Sequence, residues 1–571
     1  MDIFKRRHGA PKRKDDRVVL HFDYDCFYAS VFENQNPALK SLPLGVKQKG
    51  ILATCNYAAR ARGVKKLMLI SEAKKLCPEL VIVEGEDLTP FRDASKKLYS
   101  FLRSHSWNQK IERLGLDEVF MDVTDMIDYN ISLLNRSSLS DSFFCLSKEN
   151  PESGFPCDLT RFAGCVHGSL PVPPPLEVPV YVRLLLASHL AWYLRLQLED
   201  RFGYSSSCGV STNKLLSKLA GSKHKPRNQT TLLSLDDDVV LGFVDSHAIR
   251  KIPGMGAKTT RLLEQRLLSK GTEVSSLDSE STLTVNAVRV HPDISPSSLE
   301  TLLGGPGSEQ GVGLRVWHLL HGVDDTEVKE ASDFPTQISI EDTYRGLNSL
   351  TQIDEELRKL SASLVRRMRM DLLTEDKPTE HGTSNQRWMA HPKTLRLSIR
   401  SWPAKSEMPD WDFSRTSRSQ PLPNFVFSLR ESVEAIAERL TSDILFPMLK
   451  RFHPEKNHKW DLQLINVCVA NMAPSGSQAG TNVGRDISIM FKRQDDVLRQ
   501  WKADTGFIGQ EDCLRAEAVA VSEQGYGSGD GDDDVEILWE GEDGTAKCAQ
   551  CGYSIPLFAV PAHARYHDLG D

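Results

Sequence analysis

The chain has 571 residues and a formal net charge of −7, so it is long enough for three or more domains and, averaged over its length, too acidic to advertise a polyanionic partner. The average hides an asymmetry. Fifteen acidic and five basic residues between Val497 and Asp571 leave the first 496 residues at +3. The eleven cysteines are mostly isolated, no signal-peptide h-region precedes them, and no apolar run reaches the about 18–20 residues that span a bilayer. These features exclude a disulfide scaffold and a membrane protein and predict a reducing, intracellular chain.

In chain order, residues 1–17 carry seven Lys or Arg, which suits a nuclear import signal, a nucleic-acid arm or a merely solvated terminus. RVVLHFDYDCFYASVFE (Arg17 to Glu33) then begins as a buried strand, and Asp23 and Asp25 interrupt it. A buried charge needs a partner, and the strand itself offers none. Through residue 127, short apolar strands alternate with helical stretches, among them SEAKKLCPEL (Ser71 to Leu80), which stops before a proline, and the strand VFMDV (Val119 to Val123). Residues 128–179 are rich in Ser, Pro and Gly and read as an inserted surface loop. Tyr181 to Gly203 reads as a strong helix, and CGVSTNKLLSKLAG as a strand running into a helix.

IPGMGAKTTRLLEQRLL (Ile252 to Leu268) has the shape of a helix-hairpin-helix, whose amides can hold a phosphate, although many tight turns look the same. TLRLSIR (Thr394 to Arg400) alternates Leu395, Leu397 and Ile399 against Arg396 and Arg400, a half-buried strand with a basic outer face. The stretch from Val497 to Thr545 is acidic and Gly-rich, and its composition predicts disorder.

The chemistry-bearing residues are few. Asp23 and the adjacent pair Asp117 and Glu118 sit in apolar strands. Strand neighbours point to opposite faces, so Asp117 and Glu118 share a partner only at a turn or a strand end, and Gly115 makes such a turn available. Three converging carboxylates suit hard divalent cations and phosphoryl transfer. TCNYAARARGVKK offers Tyr57 and Arg60, three apart and on one face if helical, and SKHKP offers Lys225; together they suit a triphosphate, or else they are surface charge. Near the C-terminus, Cys548 and Cys551 followed by His563 and His567 have zinc-ligand spacing.

The ordered set DYDCFY, TCNYAARARGV, EAKKLCPEL, ERLGLDEVFMD, CGVSTNKLLSKLA, KHKPRNQT and IPGMGAKT resembles the Y-family translesion DNA polymerases, over roughly residues 18–473 outside the loop. PLGVKQK…TCNYAARARGVKKLM and EGEDLTPFR…ERLGLDE look more like the iota branch than the eta or kappa branches. The resemblance implies a multi-domain α/β right hand after the basic arm at 1–17. The palm would lie at 18–26 and 98–230, small fingers at 27–97, a helical thumb with the hairpin at 231–330, and an α/β little finger at 331–473. It implies two Mg²⁺ (or Mn²⁺) ions held by Asp23, Asp117, Glu118 and the carbonyl of Tyr24. Tyr28 falls at the family's steric gate, with Cys26 and Phe27 lining the nucleotide site. Thr54, Tyr57, Arg60 and Lys225 would hold the triphosphate, and Gln48, Lys49, Ile51 and Ala53 would roof the nascent base pair. In the iota branch a tight roof favours Hoogsteen pairing, whereas Ala53 is small. Asp25 is expected to be structural.

The implied partners are primer-template DNA and deoxynucleoside triphosphates, and the implied location is the nucleus. The segment 474–496 carries Ile487, Met490 and Phe491 at the spacing of a degenerate sliding-clamp box, and DDDVEIL (Asp532 to Leu538) resembles a SUMO-interacting stretch. After the acidic linker at 497–545, the ββα-type zinc finger at 546–571 resembles the ubiquitin-binding finger of polymerase eta, with Arg565 where that finger has an aspartate and Asp568 just beyond. Alternatives are an eta-like bypass polymerase, a restricted nucleotidyl transferase, or a scaffold that only binds clamp and ubiquitin. The three carboxylates speak against the last.

Overall fold

The computed structural model describes residues 11–268, 283–305, 309–375, 386–402, 415–453, 459–475 and two short strands near the C-terminus. The chain divides into two compact units, one running to Ala331 and the other beginning at Ser332.

The first unit opens with β1 (Val19–Tyr24), α1 (Phe27–Gln35), β2 (Leu44–Gln48), β3 (Ile51–Cys55), α2 (Tyr57–Arg60), α3 (Ile70–Leu76), β4 (Val81–Glu84) and α4 (Thr89–Ser104). It continues through β5 (Ile111–Leu114), β6 (Glu118–Asp122), α5 (Thr124–Ser132), β7 (Ser142–Cys145), β8 (Gly154–Cys157), β9 (Cys165–His167) and α6 (Pro179–Phe202). Then come β10 (Ser206–Ser211), α7 (Lys214–Gly221), β11 (Gln229–Leu232) and five helices: α8 (Asp237–Asp245), α9 (Ala257–Leu268), α10 (Val285–Arg289), α11 (Pro296–Leu303) and α12 (Val312–Leu320).

Six strands form one sheet in the order β5-β6-β1-β10-β11-β9. β1 runs antiparallel to both neighbours, with Asp23 opposite Glu118 on one side and Ser207 on the other. The period of two sorts its side chains. Leu20, Phe22 and Tyr24 enter the main core with Val119, Met121 and the apolar side of α6, while Val19 packs with Phe120 on the opposite face. On that second face, α7 is drawn unusually close. A Cβ on Gly209 of β10 would stand 1.8 Å from the Ser217 carbonyl oxygen, so only glycine admits the helix there. A smaller sheet, β3-β2-β4, lies over its own cluster of Leu52, Cys55, Val64 and Leu80.

The stretch 128–179 is not a structureless loop. β7 and β8 pair as a hairpin, and β9 adds to the main sheet in parallel with β11. Phe144 is fully buried, and Phe155 stacks between it and Tyr193 of α6 at 5.2 and 4.3 Å. A few well-placed aromatics anchor a segment whose overall composition looks solvated. The described part of the N-terminal arm, residues 11–17, differs from a free basic tail. The Arg13 side chain is buried, paired with Asp15 and with Asp237 at 2.8 Å, and Arg17 donates to the carbonyls of Asp324 and Thr326.

The second unit contains β12 (Gln337–Leu347), α13 (Leu350–Leu372), the small pair β13 (Leu373–Glu375) and β14 (Gln386–Trp388), β15 (Ala390–Ser401), β16 (Thr416–Pro421), α14 (Val433–Leu440), α15 (Phe446–Lys450) and β17 (Leu462–Pro474). Four strands form an antiparallel sheet, β12-β17-β15-β16. Leu395, Leu397 and Ile399 join Leu357, Leu364 and Met368 of α13 in its core, while Arg396 and Arg400 stay partly exposed, so the alternation along this strand is realised. At the C-terminal end, β18 (Thr545–Lys547) and β19 (Ser554–Pro556) pair antiparallel, with Cys548 and Cys551 in the sequence between them.

Candidate active site

The three carboxylates meet at one end of the main sheet. Leu114 pairs with Glu118, so Gly115, Leu116 and Asp117 form the three-residue connection, with Gly115 at φ +74°. The Tyr24 amide donates to the Asp117 carbonyl at 2.9 Å, which locks this turn against the end of β1. The hairpin thus resolves the strand-neighbour problem, because Asp117 stands before β6 and Glu118 is its first residue.

Each acid has a different surrounding. Asp23 Oδ2 is 2.5 Å from Lys225 Nζ, so the acid in the apolar strand has a cationic partner from about two hundred residues away. Glu118 pairs with Lys218 of α7, and His21 Nε2 lies 3.5 Å from the same carboxylate. Burial pushes Glu118 up, but His21 and Lys218 more than reverse this and hold it at about 2. Burial also pulls the His21 imidazole below its ordinary range, which makes Lys218 the lasting counter-charge. Among the described residues Asp117 has no ion pair of its own, and the Lys225 charge offsets little. Burial, then the negative charges of Asp23 and Glu118, push it up to about 6.

Oxygen donors crowded until one resists ionisation are the chemistry that suits a hard divalent cation. Asp23, Asp117 and Glu118 fit that role by type and position. Among the described residues, however, no three acidic, histidine or cysteine side chains are arranged as a ready chelate. Asp23 and Glu118 are instead turned to their lysines.

Cys26, Tyr28, Tyr57 and Lys225 lie near the acids at this sheet end. Cys26 caps α1 in a left-handed conformation (φ 47°), and burial pushes its thiol up to about 12. Phe27 is buried in the core, and Tyr28 stacks flat on Phe91 at 4.0 Å. Burial, then the charge of Asp117, raises the Tyr28 phenol. α2 is capped by Asn56, whose side chain accepts from the Ala59 amide, and the Arg60 guanidinium lies 4.7 Å over the Tyr57 ring. Burial and the charges of Asp25 and Asp23 raise Tyr57, so this short helix faces the acids.

Thr54 and Ile51 lie on β3, and Ala53 occupies a bulge between the pairs Val46–Thr54 and Lys47–Leu52. Gln48 and Lys49 are drawn away, the Gln48 amide donating to the Gly85 carbonyl and the Lys49 backbone amide to Glu86. After a short 3-10 turn at Ile249–Lys251, the chain turns with Gly254 at φ +84° into α9. Beside it, Gly254, Lys258, Thr259 and Arg315 line a cleft of about 220 Å³. Cys548, Cys551, His563, His567, Ile487, Met490, Phe491 and the stretch from Asp532 to Leu538 lie outside the described residues.

Sequence reasoning missed Lys218 and His21 beside Glu118. Lys214 and Lys218 stand four apart on one helix face, and each pairs with a glutamate, Lys214 with Glu112 at 2.7 Å and Lys218 with Glu118. That spacing was the available signal.

Among the described residues, no helix is long and apolar enough to cross a membrane. Residues 22–222 match the impB/mucB/samB family, and residues 335–482 match the C-terminal domain of that family. The chain is 32% identical over 458 residues to DNA polymerase iota of Homo sapiens, covering 80% of this chain and 52% of that protein. It is 32% identical over 357 residues to DNA polymerase iota of Drosophila melanogaster (62% and 42%) and 27% identical over 360 residues to DNA polymerase IV of Mannheimia succiniciproducens (62% and 77%). It therefore spans about half the length of the animal relatives. With both parts of one family matched in order, the chain belongs to the impB/mucB/samB family, the Y-family polymerases.

Proposed function

We propose that this protein is a template-directed DNA polymerase of the iota kind, extending primers across damaged template bases by nucleotidyl transfer. The observation that carries this reading is the meeting of Asp23, Asp117 and Glu118 at one sheet end, with Lys225 on Asp23 and the Tyr57–Arg60 pair within reach of the Asp23 charge. Divalent cations held by the three carboxylates and the Tyr24 carbonyl would supply Lewis-acid stabilisation of the attacking 3′-hydroxyl and the departing pyrophosphate. The protein's own groups do the rest. Lys225, Arg60, Tyr57 and Thr54 grip the triphosphate, and Tyr28, braced by Phe91, screens the sugar against a 2′-hydroxyl. Cys26 and Phe27 line the sugar side, and Ile51 and Ala53 roof the base pair with Gln48 and Lys49 at the margin.

On this reading the main sheet is the palm, residues 27–97 the fingers, the helices from Asp237 to Leu320 the thumb, and the second unit the little finger. The basic outer face of β15 and the cleft at Lys258 and Arg315 serve backbone grip, which weakens with salt. Zinc at Cys548, Cys551, His563 and His567, ubiquitin recognition, a clamp box at Ile487, Met490 and Phe491, and a nuclear location rest on sequence spacing and likeness alone. Primer extension on each template base with each nucleotide tests the polymerase reading. Extension by the wild type and none by Asp117→Ala supports it; no extension by either sinks it.

A further inference from the structure

Asp25 is 4% exposed and sits two residues beyond Asp23, yet it faces no cation head group among its hydrogen-bond partners. Its carboxylate accepts three hydrogen bonds. Ser207 Oγ donates to Oδ1 at 2.8 Å, and Ser205 Oγ to Oδ2 at 3.1 Å. The Arg227 backbone amide also donates to Oδ2, at 2.9 Å. The first two donors belong to β10 and the residue before it, and close the end of the sheet. The third comes from the turn after α7, two residues past Lys225, where Arg227 takes a left-handed φ of 53° that a non-glycine residue rarely adopts unaided.

The two aspartates of DYD thus hold one remote turn at two points, Asp23 at the Lys225 ammonium and Asp25 at the backbone. The serines alone would close the sheet; the Arg227 contact is the part that a role confined to sheet closure leaves unexplained. We propose that Asp25 is a positioning residue for nucleotide binding: by fixing the Arg227 amide it sets the turn that aims Lys225 at the triphosphate. This rests on the reading that Lys225 binds the triphosphate.

The chemistry of the contact dictates the test. An asparagine at this position keeps an oxygen for the Arg227 amide, while its NH₂ can donate to a serine hydroxyl, which is able to reverse its role. Asp25→Asn should therefore keep the nucleotide KM near the wild-type value. Asp25→Ala, or Asp25→Ser should the alanine variant fail to fold, removes the reach to Arg227. Either should raise KM for the incoming nucleotide roughly tenfold or more with kcat within about twofold. Ser207→Ala keeps the Arg227 contact and should leave KM unchanged. In a Lys225→Ala background the Asp25 substitution should cost little more, because both act through one lysine. The proposal is overturned if Asp25→Ala and Asp25→Ser bind nucleotide as the wild type does, if Ser207→Ala raises KM equally, or if the Asp25 and Lys225 effects simply add. If Lys225→Ala itself leaves KM unchanged, the triphosphate role of Lys225 fails and the proposal falls with it. A raised KM in Lys225→Ala alongside a wild-type KM in the Asp25 variants rejects the proposal alone.

Discussion

Lys225 Nζ and Asp23 Oδ2 stand 2.5 Å apart, so a lysine assigned to the triphosphate also touches a carboxylate assigned to metal. A cation approaching that oxygen competes with the ammonium. Lys225→Ala should therefore tighten Mn²⁺ binding to the protein alone, read by electron paramagnetic resonance titration, while weakening nucleotide binding about tenfold or more. Loss of both affinities together would show that the lysine merely supports the fold.

Asp117 and Glu118 are chain neighbours with opposite expected effects on stability. The folded-state pKa of Glu118 is lowered to about 2, so its contribution is full above its unfolded value and is lost as pH falls through about 2. That of Asp117 is raised to about 6, so its charge destabilises the fold increasingly as pH rises from about 4, fully above about 6. In chelator-containing buffer at pH 8, Asp117→Asn should stabilise and Glu118→Gln should destabilise, each on the order of 1–3 kcal/mol. At pH 4 the Asp117 effect should largely vanish and the Glu118 effect persist. Urea unfolding at the two pH values decides it. Equal signs would contradict the assignment.

Phe144→Ala should cost about 3–5 kcal/mol, measured by the same unfolding curves, because a fully buried ring leaves a cavity behind. A change within about 0.5 kcal/mol, as for a surface site, would return residues 128–179 to the status of a loop.

Gly209→Ala places a methyl into the Ser217 carbonyl and must push α7 away from β10. The expected result is a loss of about 1–3 kcal/mol or more. Extension activity should fall as well, since α7 carries Lys218 to Glu118. Wild-type stability would show that the helix can shift freely.

The carboxylate site was legible where local rules decide it. Gly115 announced the turn that sets Asp117 before β6 and Glu118 at its start. What was not legible depends on distant partners. The spacing of Lys214 and Lys218 marks a shared helix face but not its partners, and nothing local ties Arg227 to Asp25, because α7 and the turn after it are folded onto β1 and β6 from about a hundred to two hundred residues away. The bulge at Ala53 has no signature in ILATC, since the unpaired residue is fixed by β2 across the ladder. The insertion misled because Ser, Pro and Gly dilute it, and its burial rests on a handful of positions such as Phe144 and Leu159.

β9 has a consequence beyond packing. It is three residues long and ends the six-stranded sheet beside β11, all four of whose residues are buried. A chain trimmed of residues 128–179 would turn β11 into an open margin of unpaired amides and carbonyls, ready to pair with another molecule. Such a protein would fail first by self-association, even with every residue of the candidate site in place.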